Sequence, residues 1–441
     1  MLQRLSSKLV LPILIASGLI AILRSVWAMM PVKLDRVELM AWQDLPLFVL
    51  PPEPDPAAQE IVEQYLEKLS SKGALPQNQG VWIQSGMRRL ATHQGKVPLP
   101  AASFTKIATT IAALEQWEPS HRFETLVSAT GSVKDGILQG DLVITGSGDP
   151  FLIWQEAIAL GNSLNQLGIR RVSGNLVISG DFYLNYERNP AIAGQLLRQG
   201  INAQLWSQVI VAHHRSMPPE TPQPQVIIDG SVKVANYPIA KKILLLRHWS
   251  LSMTQILREM NIYSNNELAQ MLAQAVGGAQ IISKLAAQQA GVSPTEIQLI
   301  NGSGLGVDNR ISPRAASAML MALERFLEPH QLSIMDLFPV AGRDHDGTML
   351  ARQIPAGTTV KTGTLREVSA LTGVMLTRDR GLVWFAIING GWDIRNFRLQ
   401  QDKLLEKLLQ KWGTIPDSNN SNNYKPVLLG DPLRNEQIFI P

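Results

Sequence analysis

Residues 98–110 read PLPAASFTKIATT and place a serine and a lysine, Ser103 and Lys106, three positions apart at the start of a helix. Pro98 and Pro100 mark the boundary, because proline lacks an amide hydrogen and fits a helix only in its first turn. Beyond them Ile107, Ala108, Ile111, Ala112 and Leu114 recur at helical spacing, which predicts a helix with Ser103 near its N-terminus. Residues three apart share a helix face, so hydroxyl and amine can meet. A serine is a poor nucleophile until a base takes its proton, and an unprotonated lysine can be that base. Such a lysine must be tuned to a pKa of about 7–8 by burial or by neighbouring positive charge. Ser-x-x-Lys alone is as readily a surface pair as a site, so its company decides the reading.

Two further stretches supply that company. VKTGTL, residues 360–365, has the look of a strand carrying Lys361, Thr362, Gly363 and Thr364. Strand alternation sets Thr362 and Thr364 on one face and Lys361 on the other, and Gly363 leaves room for a substrate backbone to lie against the strand. YSNNEL, residues 263–268, holds Ser264, Asn265 and Asn266. Residues two apart do not share a helix face, so Ser264 and Asn266 converge only in a loop or extended turn. Ser-x-Asn by itself is nearly worthless, since it recurs at Ser418 and Ser421 in a polar stretch. The ordered trio S-x-x-K, S-x-N, K-T-G is far more specific, for it marks β-lactamases and penicillin-binding proteins.

The 441 residues allow two or three domains and a sizeable core. Apolar residues make up 45% and charged residues 17%, which excludes wholesale disorder. A net charge of +4 with no dense Lys/Arg run argues against nucleic-acid binding. Cysteine is absent, so disulfides, thiolate metal sites and a cysteine nucleophile are excluded. The adjacent His213 and His214 have the wrong spacing for joint ligation, and neither a metal nor a cofactor is expected. At the N-terminus Arg4 and Lys8 precede an apolar run, Leu9–Leu23, and SVWA ends with a site a signal peptidase could accept. Residues 1–28 therefore read as a signal peptide or an uncleaved signal anchor, the only expected tie to a membrane. The bulk of the chain is expected outside the cytoplasm, in the periplasm or on the outer face of the cytoplasmic membrane.

Residues 29–56 read as a proline-stiffened linker. Folded sequence is expected over 57–119, then a block at 120–235 with alternating apolar and polar residues and a hairpin turn at Asp135-Gly136. This β-rich block reads as a separate inserted module that shapes access to the site without supplying chemistry. Helical periodicity and successive strands return over 236–413, and 414–441 reads as a flexible polar tail. NGSGLG, residues 301–306, lacks the G-x-G-x-x-G spacing of a nucleotide loop and reads as a glycine-rich turn near the site. Asp149 in TGSGDP is expected to have at most a surface role.

Together these stretches resemble the D-alanyl-D-alanine carboxypeptidase/endopeptidases of the class C, low-molecular-mass penicillin-binding proteins. The likeness runs from about Gly80 to Gly391 and includes GDLVITGSGDP, VSGNLVISGDFY, NGSGLGVDNRIS, AGRDHDGTML and KTGTLREVSALTGV. It implies an α/β (α+β) fold, a penicillin-binding-protein/β-lactamase-like transpeptidase domain with a β-rich inserted domain. The interval between Ser103 and Ser264 is short for two inserted domains, so one insert, or one and a remnant, is expected. Asn265 stands where aspartate is common. By motif, Ser103 would attack the penultimate D-alanine carbonyl, Lys106 would accept its proton, and Ser264 would relay a proton to the leaving amine. Asn266 would orient Lys106 and the substrate, Lys361 would add positive potential, and Thr362 and Thr364, flanking Gly363, would hold the terminal carboxylate. The implied partners are peptidoglycan stem peptides as substrates and β-lactams as inhibitors. A β-lactamase and a catalytically silent wall-binding scaffold are the alternatives; the intact polar positions argue against the scaffold.

Overall fold

The run Val383–Ile388, VWFAII, leaves no polar residue on either side of a strand, so both faces of that strand have to be covered. The computed structural model of the protein, which describes residues 54–237, 239–415 and 427–438, covers them with two helical layers. The chain enters through helix α1 (Pro56–Ser70), the strands β1 (Gln79–Ser85) and β2 (Arg88–His93), and helix α2 (Thr105–Gln116). It then departs into the insert: β3 (Glu124–Ala129), β4 (Leu142–Ser147), α3 (Trp154–Gln166), β5 (Leu176–Asp181), α4 (Pro190–Gly200), α5 (Gln208–Arg215), β6 (Val232–Ala235) and β7 (Ile243–Trp249). It returns through α6 (Met253–Ile262), α7 (Asn266–Ala275), α8 (Ala279–Ala290) and α9 (Pro313–Leu327). The strands β8 (Thr359–Leu365), β9 (Val368–Thr377) and β10 (Gly381–Gly390), helix α10 (Ile394–Trp412) and a short strand β11 (Asn435–Gln437) complete it.

The first sheet is antiparallel throughout, in the order β8-β9-β10-β1-β2. Alternation along β10 sends Val383, Phe385 and Ile387 to one face, where Val62 and Leu69 of α1 and Leu404 and Leu408 of α10 cover them. Trp384, Ala386 and Ile388 face the other way, onto Ile107 and Ile111 of α2 and Met319 and Leu323 of α9. Helix α1 starts where Pro56 allows, with the Asp55 carboxylate accepting from the amides of Ala57 and Ala58. Asp55 also pairs with Arg380 at 2.6 Å, which ties the helix to the β9–β10 turn. The expected linker thus ends one residue into a helix, while its residues 29–53 and the N-terminal export segment lie outside the described residues. No helix among the described residues is long and apolar enough to cross a membrane.

The insert is a six-stranded sheet, β6-β5-β4-β3-β7-β11. Its first three strands run parallel and the rest antiparallel, with α3 and then α4 and α5 as the crossovers. The expected turn is there: Asp135 and Gly136 have φ of 51° and 80°, as a tight hairpin turn requires, between paired short strands at Val133–Lys134 and Ile137–Leu138. The three helices are what alternation did not reveal. Helix α3 is buried on nearly every side, from Trp154 to Leu164, and even its polar stripe is enclosed, with Glu156 and Ser163 turned onto the C-terminal segment. The module also extends past 235, since β7 at Ile243–Trp249 pairs with β3 inside its sheet.

The C-terminus departs from the flexible tail expected over 414–441. Residues 427–438 return to the insert, where β11 pairs with β7 and Arg434 is buried against Glu156. The Glu156 carboxylate also accepts from the amide of Gly430 at 2.8 Å, and Asn435 donates to Ser163 Oγ at 3.0 Å. Partners this distant in sequence leave no local pattern. Breaking a buried pair by removing one partner costs about 3–5 kcal/mol. Arg434→Ala should therefore lower the unfolding temperature, and adding Glu156→Gln should recover part of the loss. An unchanged thermal unfolding curve for Arg434→Ala would show that the segment is held by its strand pairing alone.

Candidate active site

Helix α2 begins at Thr105, and Ser103 lies in the single turn of tighter helix before it, Ala102–Phe104. That arrangement sets Lys106 Nζ 3.2 Å from Ser103 Oγ. The Lys106 side chain is fully buried, and its amine also donates to Asn266 Oδ1 at 2.8 Å and to the Ser303 carbonyl at 2.7 Å. Those two oxygens can only accept, whereas the serine hydroxyl can donate or accept. A neutral amine has two N–H groups and one lone pair. Given to the two acceptors, its protons leave the lone pair for the hydroxyl of Ser103. Burial pushes the Lys106 pKa down to about 7, against the opposing charge of Glu267. Among the described residues no carboxylate forms an ion pair with it.

The second motif owes its shape to one backbone angle. Ser264 sits at φ 52°, the left-handed region, between α6 and α7. Asn265 then caps α7, its Oδ1 accepting from the amide of Leu268 at 2.9 Å, and Asn266 opens the helix. The kink brings Ser264 and Asn266 into one site: Ser264 Oγ lies 3.1 Å from Lys361 Nζ while Asn266 reaches Lys106. The Asn265 amide also donates to the Tyr186 hydroxyl at 2.7 Å. Tyr186 belongs to the insert.

Strand β8 is the outer strand of its sheet. Its free edge is capped early on, where Val360 N donates to the Pro339 carbonyl at 2.9 Å and Val340 bridges to Thr359. Beyond Val360 the strand runs against the turn that carries Ser103. A Cβ on Gly363 would lie 3.0 Å from Ser103 N and 3.1 Å from the Ala101 carbonyl, so the room this glycine makes is taken first by the chain itself. Lys361 is fully buried, and its amine donates to Ser264 Oγ and to the Thr362 carbonyl at 3.0 Å. Burial, and then the Lys106 charge, hold it well below the usual amine range. Thr362 is buried and Thr364 exposed, and the Thr364 hydroxyl accepts from Arg398 Nη2 at 2.8 Å.

The glycine-rich turn at 301–306 packs on the same spot. Gly304 has φ 85°, and a Cβ there would sit 1.9 Å from the Ala102 carbonyl. This approach carries the Ser303 carbonyl to Lys106, and the Thr109 hydroxyl fastens the turn by donating to the Gly302 carbonyl at 2.7 Å. A cleft of about 380 Å³ opens over Asn266 and Ser303, walled by Tyr186 and Arg188 of the insert and Glu267 and Gln270 of α7. Asp149 is not on the surface: it is buried, its Oδ1 accepts from Phe151 N at 2.9 Å, and burial lifts its pKa to about 7.

The model of the D-Ala-D-Ala carboxypeptidase 3 (S13) family matches residues 62–218 and 219–409. The chain belongs to that family. It is a serine D-Ala-D-Ala carboxypeptidase, and the β-lactamase and scaffold alternatives fall away. A D-alanyl-D-alanine carboxypeptidase of Haemophilus influenzae is 23% identical over 400 residues, spanning 68% of this chain and 82% of its own. A carboxypeptidase of Mycobacterium tuberculosis is 26% identical over 338 residues, spanning 66% of this chain and 71% of its own. Among solved structures, a penicillin G-acylated predatory endopeptidase from Bdellovibrio bacteriovorus superposes with a TM-score of 0.67 at 20% identity, over 79% of this chain and 96% of that one. Penicillin-binding protein 4 from H. influenzae gives 0.57 at 18%, over 79% and 99%. The fold is that of these S13 relatives, a transpeptidase-like domain carrying an inserted domain.

Three groups that touch the candidate residues escaped the sequence reading: the Ser303 carbonyl on Lys106, Tyr186 on Asn265 and Arg398 on Thr364. NGSGLG did flag the first region, as a turn. Tyr186 and Arg398 sit in no motif. The 1.9 Å approach makes Gly304 the most constrained position of the turn, so Gly304→Ala should abolish penicillin labelling in protein that still folds. Labelling at the wild-type rate would show that the turn can retreat without disturbing Lys106.

Proposed function

We propose that Ser103 is the nucleophile and Lys106 its general base in hydrolysis of the terminal D-Ala-D-Ala bond of peptidoglycan stem peptides. The Ser103 proton passes to the neutral Lys106 amine as Oγ attacks the carbonyl of the penultimate D-alanine. The backbone N–H groups of Ser103 and Thr364 receive the oxyanion, each such donor being worth about 10²–10³ in rate. Ser264, held by Lys361, relays a proton from Lys106 to the departing amine, and D-alanine leaves. Asn266 keeps Lys106 in register and contacts the substrate amide. Thr362 and Thr364, on either side of Gly363, hold the terminal carboxylate, and water then hydrolyses the acyl-enzyme. A β-lactam mimics acyl-D-Ala-D-Ala: attack of Ser103 opens its ring amide, the amine stays tethered to the acyl group, and the reaction stops at the acyl-enzyme stage.

The observation that carries this reading is the company of Lys106: two acceptor-only oxygens, a serine hydroxyl and full burial. Acylation needs the neutral amine, whose fraction grows as pH rises through the pKa of about 7. The rate of Ser103 acylation by a penicillin should therefore climb about tenfold per pH unit below that value and level off above it. Lys106→Arg keeps the charge and cannot give up a proton, so it should abolish acylation. A penicillin adduct mapped to any residue but Ser103, or a flat pH profile, would overturn the assignment.

Endopeptidase action is part of the same proposal. Cross-links that join a D-alanine carbonyl to an amine on another D-centre with a free carboxylate present the same group beside the scissile bond. The cleft should accept them alongside pentapeptides. Cross-linked muropeptide dimers that persist while pentapeptide monomers lose D-alanine would restrict the enzyme to carboxypeptidase action. A family that acts on peptidoglycan works outside the cytoplasm, so the protein is exported. The periplasm, reached through the N-terminal signal segment as a peptide or an anchor, fits that sequence best.

A further inference from the structure

We propose that Arg398 is the cation of the carboxylate subsite, gripping the free carboxylate of the terminal D-alanine together with Thr362 and Thr364. The inference rests on the reading of the site given above and adds to it a residue that lies in no motif.

The argument starts from charge. Arg398 projects from the second turn of α10, and its Nη2 donates to Thr364 Oγ1 at 2.8 Å. No carboxylate among the described residues pairs with it. The nearest acid in its surroundings, Asp402, is engaged elsewhere: it takes Arg352 Nη2 at 2.6 Å, Arg352 Nε at 3.1 Å and the amide of Gln353 at 2.9 Å. Two guanidinium groups therefore share one carboxylate, and the unmatched positive charge faces an exposed threonine at the open end of β8. Partial burial and the Arg352 charge both work against that guanidinium, as expected of a cation short of a counter-ion. An arriving carboxylate would supply it.

Hydrogen-bond roles point the same way. A threonine hydroxyl has one proton to give, and here its oxygen already accepts from Arg398. Its own proton is thus free for a ligand acceptor. The guanidinium has five N–H groups in a rigid fork and spends one of them on Thr364, leaving others beside that hydroxyl for bidentate contact with a carboxylate. Thr362 lies on the same strand face, two residues further in. Lys361 cannot fill this role. It lies on the opposite face of the strand, buried against Ser264.

The full-length protein tests this with two acyl donors. Diacetyl-L-lysyl-D-alanyl-D-alanine ends in the carboxylate, and an N-acyl-D-alanyl methyl thioester keeps the acyl group but has none. Arg398→Gln should raise KM for the peptide about 10- to 100-fold with kcat nearly kept, because a charge-assisted contact made equally before and during reaction is lost. Turnover of the thioester should fall far less, so the preference for the carboxylate substrate collapses. Arg398→Lys should restore part of it and controls for folding. If Arg398→Gln leaves the peptide-to-thioester ratio at the wild-type value, or lowers both substrates alike, the subsite assignment is wrong and Arg398 only props Thr364. If the wild-type protein turns over neither donor and penicillin does not label Ser103, the reading of the whole site fails, and this inference with it.

Discussion

Everything around the site follows from the expense of placing an amine where water cannot reach it. A buried ammonium without a counter-ion is costly enough that the group gives up its proton instead. The protein exploits that by withholding carboxylates from Lys106 and giving it carbonyl oxygens. An ion pair would have held the proton and left a structural lysine. Acceptors that cannot give a proton back leave the lone pair for the one neighbour that can, the Ser103 hydroxyl. The neutral amine is thus made by what is left out of its surroundings as much as by what is put in.

Bringing those acceptors in has a cost in backbone conformation. Ala102, Ser264 and Gly304 all adopt left-handed φ, of 46°, 52° and 85°, and each lies within a residue or two of a group touching Lys106 or Lys361. For the non-glycine pair such angles cost on the order of 1–3 kcal/mol each and persist only where packing over-determines them. The packing is close at hand. The helices α2, α6, α7 and α9 share one continuous core with the inner face of the sheet, through Ile107, Met260, Leu268, Met319 and Ala386 among others. The same sheet separates two kinds of charge. Lys361 points toward the helical core, and Thr362 and Thr364 point to the face that carries α10. One strand therefore carries the amine on one side and the two hydroxyls on the other.

What could be read from the sequence was what is local. Ser103 with Lys106, and Lys361 with Thr362 and Thr364, each lie within one regular stretch, where helical or strand period places the side chains. Ser264 and Asn266 were harder, since their convergence depends on a left-handed serine that no propensity predicts. Helix α3 was masked by the strands on either side, which set the texture of the block, although Gln155, Asn162 and Gln166 recur along it at helical spacing. The C-terminal segment was invisible for another reason. Its polar, low-complexity approach hides Arg434 and Asn435, whose partners Glu156, Ser163 and His248 are brought near only by the fold. Arg398 belongs with these: an arginine on an amphipathic helix looks like any other solvated charge until Thr364 and the preoccupied Asp402 are seen beside it.

The insert can then be weighed again. On sequence it stood apart from the chemistry, and among the described residues none of the insert hydrogen-bonds to the side chain of Ser103 or Lys106. Yet Asn265, the middle residue of the second motif, has its side chain divided between two domains, capping α7 with its oxygen and meeting Tyr186 of the insert with its nitrogen. Tyr186 itself is held at φ 68° and packs near Phe151, 6.4 Å between ring centroids. An aspartate at 265 could cap the helix equally well but has no N–H to offer that hydroxyl. The asparagine therefore makes the second motif a joint between the two bodies. Its neighbours on either side hold Lys361 and Lys106, so the insert is tied to both amines through a single step of backbone each.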